Sequence, residues 1–264
     1  MNSMHSVPQP IAPVRPPVVV TVVSKKGGSG KTSTIMVLAS AAAHLGLRVH
    51  ILDGDRDPQL VRWRANAEAF DWGNQTAPLW PQAITAEKLA ATIDDVATQL
   101  NGATGRADLV LIDTRPGHYA DTEDVAYLGD VILIPSTLAP AEVPLAIDSY
   151  RWMVTCRENY PDDDSWPVVR VALSNLRPNV IDAFQTGDVD KLTEVEFQAL
   201  KLLIDIPALG KPIPASRIVE NMPSNGPLNA QHDALPVRRQ SLDRILSVGT
   251  DLVTALMSLE RATR

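Results

Sequence analysis

Residues 18–33 read VVVTVVSKKGGSGKTS: an apolar, β-branched run, a glycine-rich loop, then a stretch with helical spacing. No other stretch of the chain restricts its fold so strongly. The glycines let the backbone turn several N–H groups inward, and a helix starting directly behind the loop aims its positive N-terminus at the same point. A buried strand that feeds such a loop is the opening of an α/β sheet that holds phosphate. Gly27, Gly28, Ser29 and Gly30 would form the cradle with Ser33 beside them. Lys31 would reach the β- and γ-phosphates, and the Thr32 hydroxyl would ligate Mg²⁺, so the expected ligand is a nucleotide with Mg²⁺.

Four further runs, Val49–Leu52, Leu109–Ile112, Val131–Ile134 and Val168–Leu173, are short and rich in β-branched residues, as strands buried on both faces should be. Between them lie segments with helical spacing, such as Ser33–Leu45 and Ala86–Leu100. The alternation predicts a doubly wound, mostly parallel sheet with helices on both faces. SKKGGSGKTS, DGDRD, DTRPG and SNLRP each follow a run, so four strand ends should converge on one site. After about residue 180 the reading is a helix at Lys191–Ile204, a proline-rich connection at Pro207–Pro214 and a final helix from Ser241.

Composition narrows the setting. At 264 residues the length suits one large α/β domain, taken as 18–264, behind a proline-rich tail at 1–17 that we expect to be flexible. No apolar stretch approaches the roughly 18 residues of a membrane span, no secretory leader opens the chain, and the only cysteine is Cys156, so a cytoplasmic location is expected. Net charge is −7, so any nucleic-acid contact must be a local patch.

The phosphate loop departs from GxxxxGK[ST], because Lys25 stands where its first glycine belongs. Lys26-Gly27-Gly28-Ser29-Gly30-Lys31-Thr32 instead matches KGGxGK[ST], and the chain resembles the ParA/MinD family of deviant Walker A ATPases, a SIMIBI-like group of P-loop NTPases, closest to the short ParA type. That resemblance implies ATP or ADP with Mg²⁺ as the ligand, weak ATP hydrolysis, a homodimer formed with ATP, and a role for Lys26 in touching the nucleotide of the opposite subunit. It also implies that Asp53-Gly54-Asp55, 22 residues beyond Lys31, is the second motif. Asp55 would then orient the attacking water, and Asp53 would organise the Mg²⁺ shell. A rival register reads the motif as Asp55-Arg56-Asp57-Pro58-Gln59; Asp55 matters in both.

LVLIDTRPG resembles the family's Walker B element, with Asp113 holding Mg²⁺ and Thr114–Gly117 sensing the γ-phosphate. His118 reads as a loop residue, since phosphoryl transfer rests on positioning and charge. Val131–Val143 resembles the segment that borders the dimer interface. By the same resemblance Asn175 contacts the adenine edge; as a residue type it equally suits a turn.

Family members position plasmids, chromosomes or protein assemblies on DNA or on a membrane, with hydrolysis stimulated by a ParB-like or other partner. Here the final helix interleaves acids with its arginines, which suits packing onto the domain better than a membrane anchor. Arg217, Arg238, Arg239 and Arg244 are the candidates for nonspecific DNA contact and nucleoid association; a solvated basic turn is the alternative. A dethiobiotin-synthetase-like metabolic enzyme and a membrane-bound MinD-like ATPase are the competing function classes.

Overall fold

Runs that are apolar at every position cannot leave either face in water, and the chain buries them as the centre of one sheet. The computed structural model describes residues 15–69, 80–158, 166–234 and 238–259. Its strands are β1 (Val18–Val22), β2 (Val49–Asp53), β3 (Ile84–Lys88), β4 (Leu109–Asp113), β5 (Val131–Ser136) and β6 (Val168–Leu173). They lie in the order β3-β2-β4-β1-β5-β6, and every pairing is parallel. The predicted doubly wound α/β architecture is therefore present, with a sheet wholly rather than mostly parallel.

Successive residues of each strand serve opposite layers. Val20, Val22, Ile51, Leu109, Leu111 and Leu133 join one cluster with helix α1 (Lys31–His44) and α2 (Gln59–Ala69). Val19, Leu52, Val110 and Ile112 face the other layer, under α3 (Ile93–Ala103) and α4 (Ala120–Tyr127). Ile132, Ile134 and Val171 continue that layer beneath α5 (Val143–Glu158), α6 (Pro178–Thr186) and α7 (Glu194–Leu203). Each fully buried Leu or Ile contributes about 1.5–3 kcal/mol, so the two layers hold the strand ends in fixed register.

The chain after β6 covers both an edge and a face. Pro207 accepts a hydrogen bond from Val171 N–H at 2.9 Å, and Leu209 and Ile213 donate to Val171 and Leu173 at 2.8 Å each, so the proline-rich connection shields the β6 edge. Short helices α8 (Arg217–Glu220), α9 (Met222–Asn225) and α10 (Leu228–Ala234) lead to α11 (Arg239–Ser258). Leu242, Ile245, Leu246, Leu252, Val253 and Leu256 of α11 are buried, as expected of a helix that packs onto the domain. Gly249 permits its close approach to α1: a Cβ there would lie 2.7 Å from Ala41 Cβ.

Two expectations need correction. Ala86–Leu100 is not one helix: Ile84–Lys88 is an edge strand paired with β2, and α3 begins at Ile93 behind an N-cap, Thr92, whose hydroxyl accepts the Asp95 N–H at 3.3 Å. The strand escaped notice because only Ile84 is buried, leaving no apolar run. Lys191–Ile204 is likewise broken. A 3₁₀ turn at Val189–Lys191 ends there, and a capping box between Thr193 and Glu196 starts α7 at Glu194. Residues 1–14 of the expected tail lie outside the described residues.

Candidate active site

Beside β1, β4 ends level with it, while β5 runs three residues further, to Ser136. Parallel pairing sets Val22 beside Asp113, and Asp113 beside Asp53, so two carboxylates stand at adjacent strand ends directly under the glycine loop. Gly28 and Gly30 take left-handed backbone angles (φ 81° and 86°), which only glycine adopts without strain. Gly30 also caps α1 without any side-chain hydrogen bond, leaving the first N–H groups of that helix to an anion. A Cβ on Gly30 would sit 3.3 Å from Ser174 Oγ. The Ser29 hydroxyl is buried and has no partner among the described residues.

Lys31 is only 8% exposed. Burial lowers the pKa of its amine, while the nearby charges of Asp113 and Asp55 pull it back up. Thr32 Oγ1 donates to Asp113 Oδ2 at 2.9 Å. The other oxygen, Asp113 Oδ1, is buried and unpartnered. Burial pushes the Asp113 pKa up to about 7, against the opposing pull of Lys31. A carboxylate with one oxygen idle beside a threonine hydroxyl is a donor set that suits a hard divalent cation.

Asp53 is differently employed. Its Oδ2 accepts Leu60 N–H at 2.8 Å and its Oδ1 accepts Asp55 N–H at 3.2 Å, so it braces the loop that carries Asp55. Burial raises its pKa, with the Leu60 N–H opposing. Gly54 between them donates to the Asp113 carbonyl at 2.7 Å, and a Cβ there would come within 2.8 Å of that oxygen. Asp55 is half-buried and close enough for its charge to act on Lys31, whereas Asp57 turns outward to Arg62 at 2.7 Å. The site thus holds Asp53 and Asp55; Asp57 of the rival register makes a surface ion pair.

The segment after β4 is tied back to β1. Thr114 Oγ1 donates to the Val22 carbonyl at 2.8 Å and Gly117 N–H to Ser24 at 3.1 Å. Arg115, which sequence reasoning gave no role of its own, forks onto Asp121 at 2.7 and 2.6 Å with its guanidinium carbon 3.8 Å from the centre of the Tyr119 ring. His118 packs on Trp152 with ring centres 4.2 Å apart, and its Nε2 lies 3.3 Å from Glu123 Oε1.

The two entrance lysines diverge from Lys31. Lys26 is half-exposed and its Nζ lies 2.7 Å from Glu142 Oε1, just ahead of α5 on the same chain. Lys25 donates its N–H to Ser149 Oγ at 3.2 Å and extends over the Trp152 ring at 6.0 Å. Glu142 was missed, because nothing in the sequence links positions 26 and 142.

On the far side of the loop lies a cavity of about 200 Å³, lined by Gly28, Gly30 and Ser33 together with Ser174, Asn175, Val219 and Glu220. Asn175 is the one non-glycine residue with positive φ (58°) among the described residues, a conformation asparagine tolerates well. The contribution of α8 to this wall had no readable signal in the sequence. Cys156 plays no part: it is buried, and its thiol is pushed up to about 12 by burial and by Glu123.

Known proteins resemble this chain in sequence and in fold. The chain is 30% identical over 135 residues to protein VirC1 of Rhizobium radiobacter, covering 51% of this chain and 55% of that one. It is 35% identical over 113 residues to protein ParA of the same species, covering 37% and 49%. These matches span about half the length of the curated relatives. Among solved structures, the MinD cell division protein of Aquifex aeolicus superimposes with a TM-score of 0.59 at 16% identity, over 91% of this chain and 97% of that one. The pNOB8 ParA bound to nonspecific DNA gives 0.54 at 14% identity, over 92% and 98%. At such identities the structural likeness speaks for the fold. The VirC1 protein family model matches residues 18–246, from the first residue of β1 into α11, and the chain belongs to that family, within the ParA/MinD type of P-loop ATPases.

Proposed function

We propose that this chain is a partition or positioning ATPase, with residues 18–264 as one domain, that closes into a homodimer around ATP, binds DNA without reading sequence, and hydrolyses ATP slowly until a partner protein stimulates it. The observation that carries this reading is the contrast between its two motif lysines. Lys31 is buried among Asp113 and Asp55 and serves its own phosphate site. Lys26 stands at the rim with an exposed ion pair to Glu142, a surface contact worth no more than about 1 kcal/mol that phosphate oxygens can outcompete. A lysine placed so can neutralise charge in a second site brought face to face with the first.

The chain's residues divide the work accordingly. The Gly27–Gly30 backbone and the start of α1 hold the β- and γ-phosphates, and Lys31 adds its charge there. Thr32 and Asp113 are fitted to hold Mg²⁺, which when bound spreads the charge building on the phosphate oxygens. Asp55 orients the attacking water, held in place by Asp53 through the Asp55 N–H. Asn175 faces the base in the adjoining cavity.

Support for DNA as the surface comes from the exposed Arg217, Arg238, Arg239 and Arg244, and from the fold shared with a ParA solved on nonspecific DNA. The membrane alternative has less support, since the apolar stripe of α11 is buried against α1. Sedimentation with ADP, ATP or a slowly hydrolysed analogue, with and without duplex DNA across a salt series, tests the reading. ATP should produce a dimer that pellets with DNA and releases it as salt rises. A Lys26→Gln protein should bind ATP yet stay monomeric; a Lys26→Gln dimer that hydrolyses normally would defeat the proposal.

A further inference from the structure

Away from the nucleotide site, α6, the 3₁₀ turn and α7 enclose a groove of about 730 Å³ against β6 and residues 206–208. Its floor is Val171 and Leu173 of the sheet. Phe184, Val189 and Ile204, at its lips, are 40%, 48% and 77% exposed, three of the large apolar side chains left in water among the described residues. A volume in this range would admit a small apolar molecule, but one seated on the floor would leave those lips wet. An elongated apolar face laid along the groove would cover floor and lips together.

Charge selects among such faces. Residues 177–206 carry six carboxylates against Arg177, Lys191 and Lys201, and the buried Glu196 is paired with Arg177. Lys191 is already spent on Asp182 and Asp188, at 3.8 and 3.5 Å. Lys201 is the one charged residue in the groove wall, but the exposed Asp190, Glu194 and Asp205, next in sequence to or within four residues of its lining residues, form no ion pair among the described residues. The surround is therefore net acidic and complements a helix with an apolar stripe and a basic back.

We infer that this groove is a docking site for a basic amphipathic helical segment of a partner protein. The surface does not include the phosphate loop, so the inference stands apart from the ATPase reading.

The test uses the full chain and two labelled helical peptides of roughly 16 residues sharing one leucine face (i, i+3, i+4, i+7), one with a lysine back and one with a glutamate back. Fluorescence anisotropy should show saturable, micromolar binding of the lysine peptide, at least about tenfold weaker binding of the glutamate peptide, and weakening with added salt. Ile204→Glu, at a residue too exposed to be needed for folding, should cost the lysine peptide about tenfold or more, with circular dichroism unchanged. Equal binding of the two peptides, full binding to Ile204→Glu, or no saturable binding would overturn the inference. So would saturable uptake of laurate that excludes the peptide, which would mark a small-ligand pocket, or a concentration-dependent dimer lost in Ile204→Glu, which would assign the groove to a second copy.

Discussion

The two ends of the proposed nucleotide site are built on different principles. At the phosphate end Lys31, Asp53 and Asp113 are buried charges at adjacent positions, and each is held by another of the site's own groups or by the loop backbone. At the other end the cavity is walled mainly by neutral or apolar groups, among them Asn175, Ser216 and Val219, supplied by a turn, a linker and one short helix, with Glu220 as its one charged side chain. Buried charges interact strongly, and removal of one strands its partner; a wall of mainly neutral contacts weakens by small steps. Chemistry is thus concentrated in a few residues at one end, and choice of ligand is distributed over many at the other.

The largest effect should come from removing the phosphate-site amine. Lys31→Ala should lower ATP hydrolysis by about a thousandfold or more, measured as phosphate release from protein whose fold is verified by circular dichroism. Near-normal turnover would mean that charge is not what distinguishes this end.

An intermediate effect concerns stability. Asp113, with a pKa near 7 in the fold, keeps its proton where an unfolded aspartate near 3.8 has lost it. The native state therefore binds more protons between those values, and ligand-free stability should fall as pH rises from about 4 to about 7. Asp113→Asn, which does not titrate, should be more stable than the parent at pH 8 by up to about 4 kcal/mol and lose that advantage toward pH 4, as read by denaturant unfolding without Mg²⁺.

The smallest effect belongs to the other end. Asn175→Ala should raise KM for ATP by about three- to tenfold, leave kcat unchanged, and narrow the preference over GTP. A fall in kcat as deep as that of Lys31→Ala would erase the contrast between the ends.

The phosphate end was also the legible one. A buried parallel strand needs apolar residues throughout, so β1, β2, β4, β5 and β6 stood out as runs, and the polar residues closing them marked the site. Glycines at 28 and 30 were readable because only that residue takes their backbone angles freely. β3 was hidden because an edge strand half in water carries no continuous apolar run, and its Glu87 and Lys88 fit a helix surface equally well. The pairing of Lys26 with Glu142 and the placement of α8 beside Asn175 depend on how distant segments pack, and local pattern does not encode that.

Strand order has a consequence for how the protein is born. β1 is made first, yet it lies between β4 and β5, so its two neighbours are Leu109–Asp113 and Val131–Ser136. At roughly 5–20 residues per second, a ribosome needs on the order of 6–24 s after finishing β1 to deliver both. Until β4 has been made, an apolar strand and the loop behind it have neither of their native neighbours, and only β5 completes the pairing. The most chemically valuable stretch of the chain is then the one a holding chaperone has most reason to cover, and slower translation across residues 23–136 would lengthen its exposure.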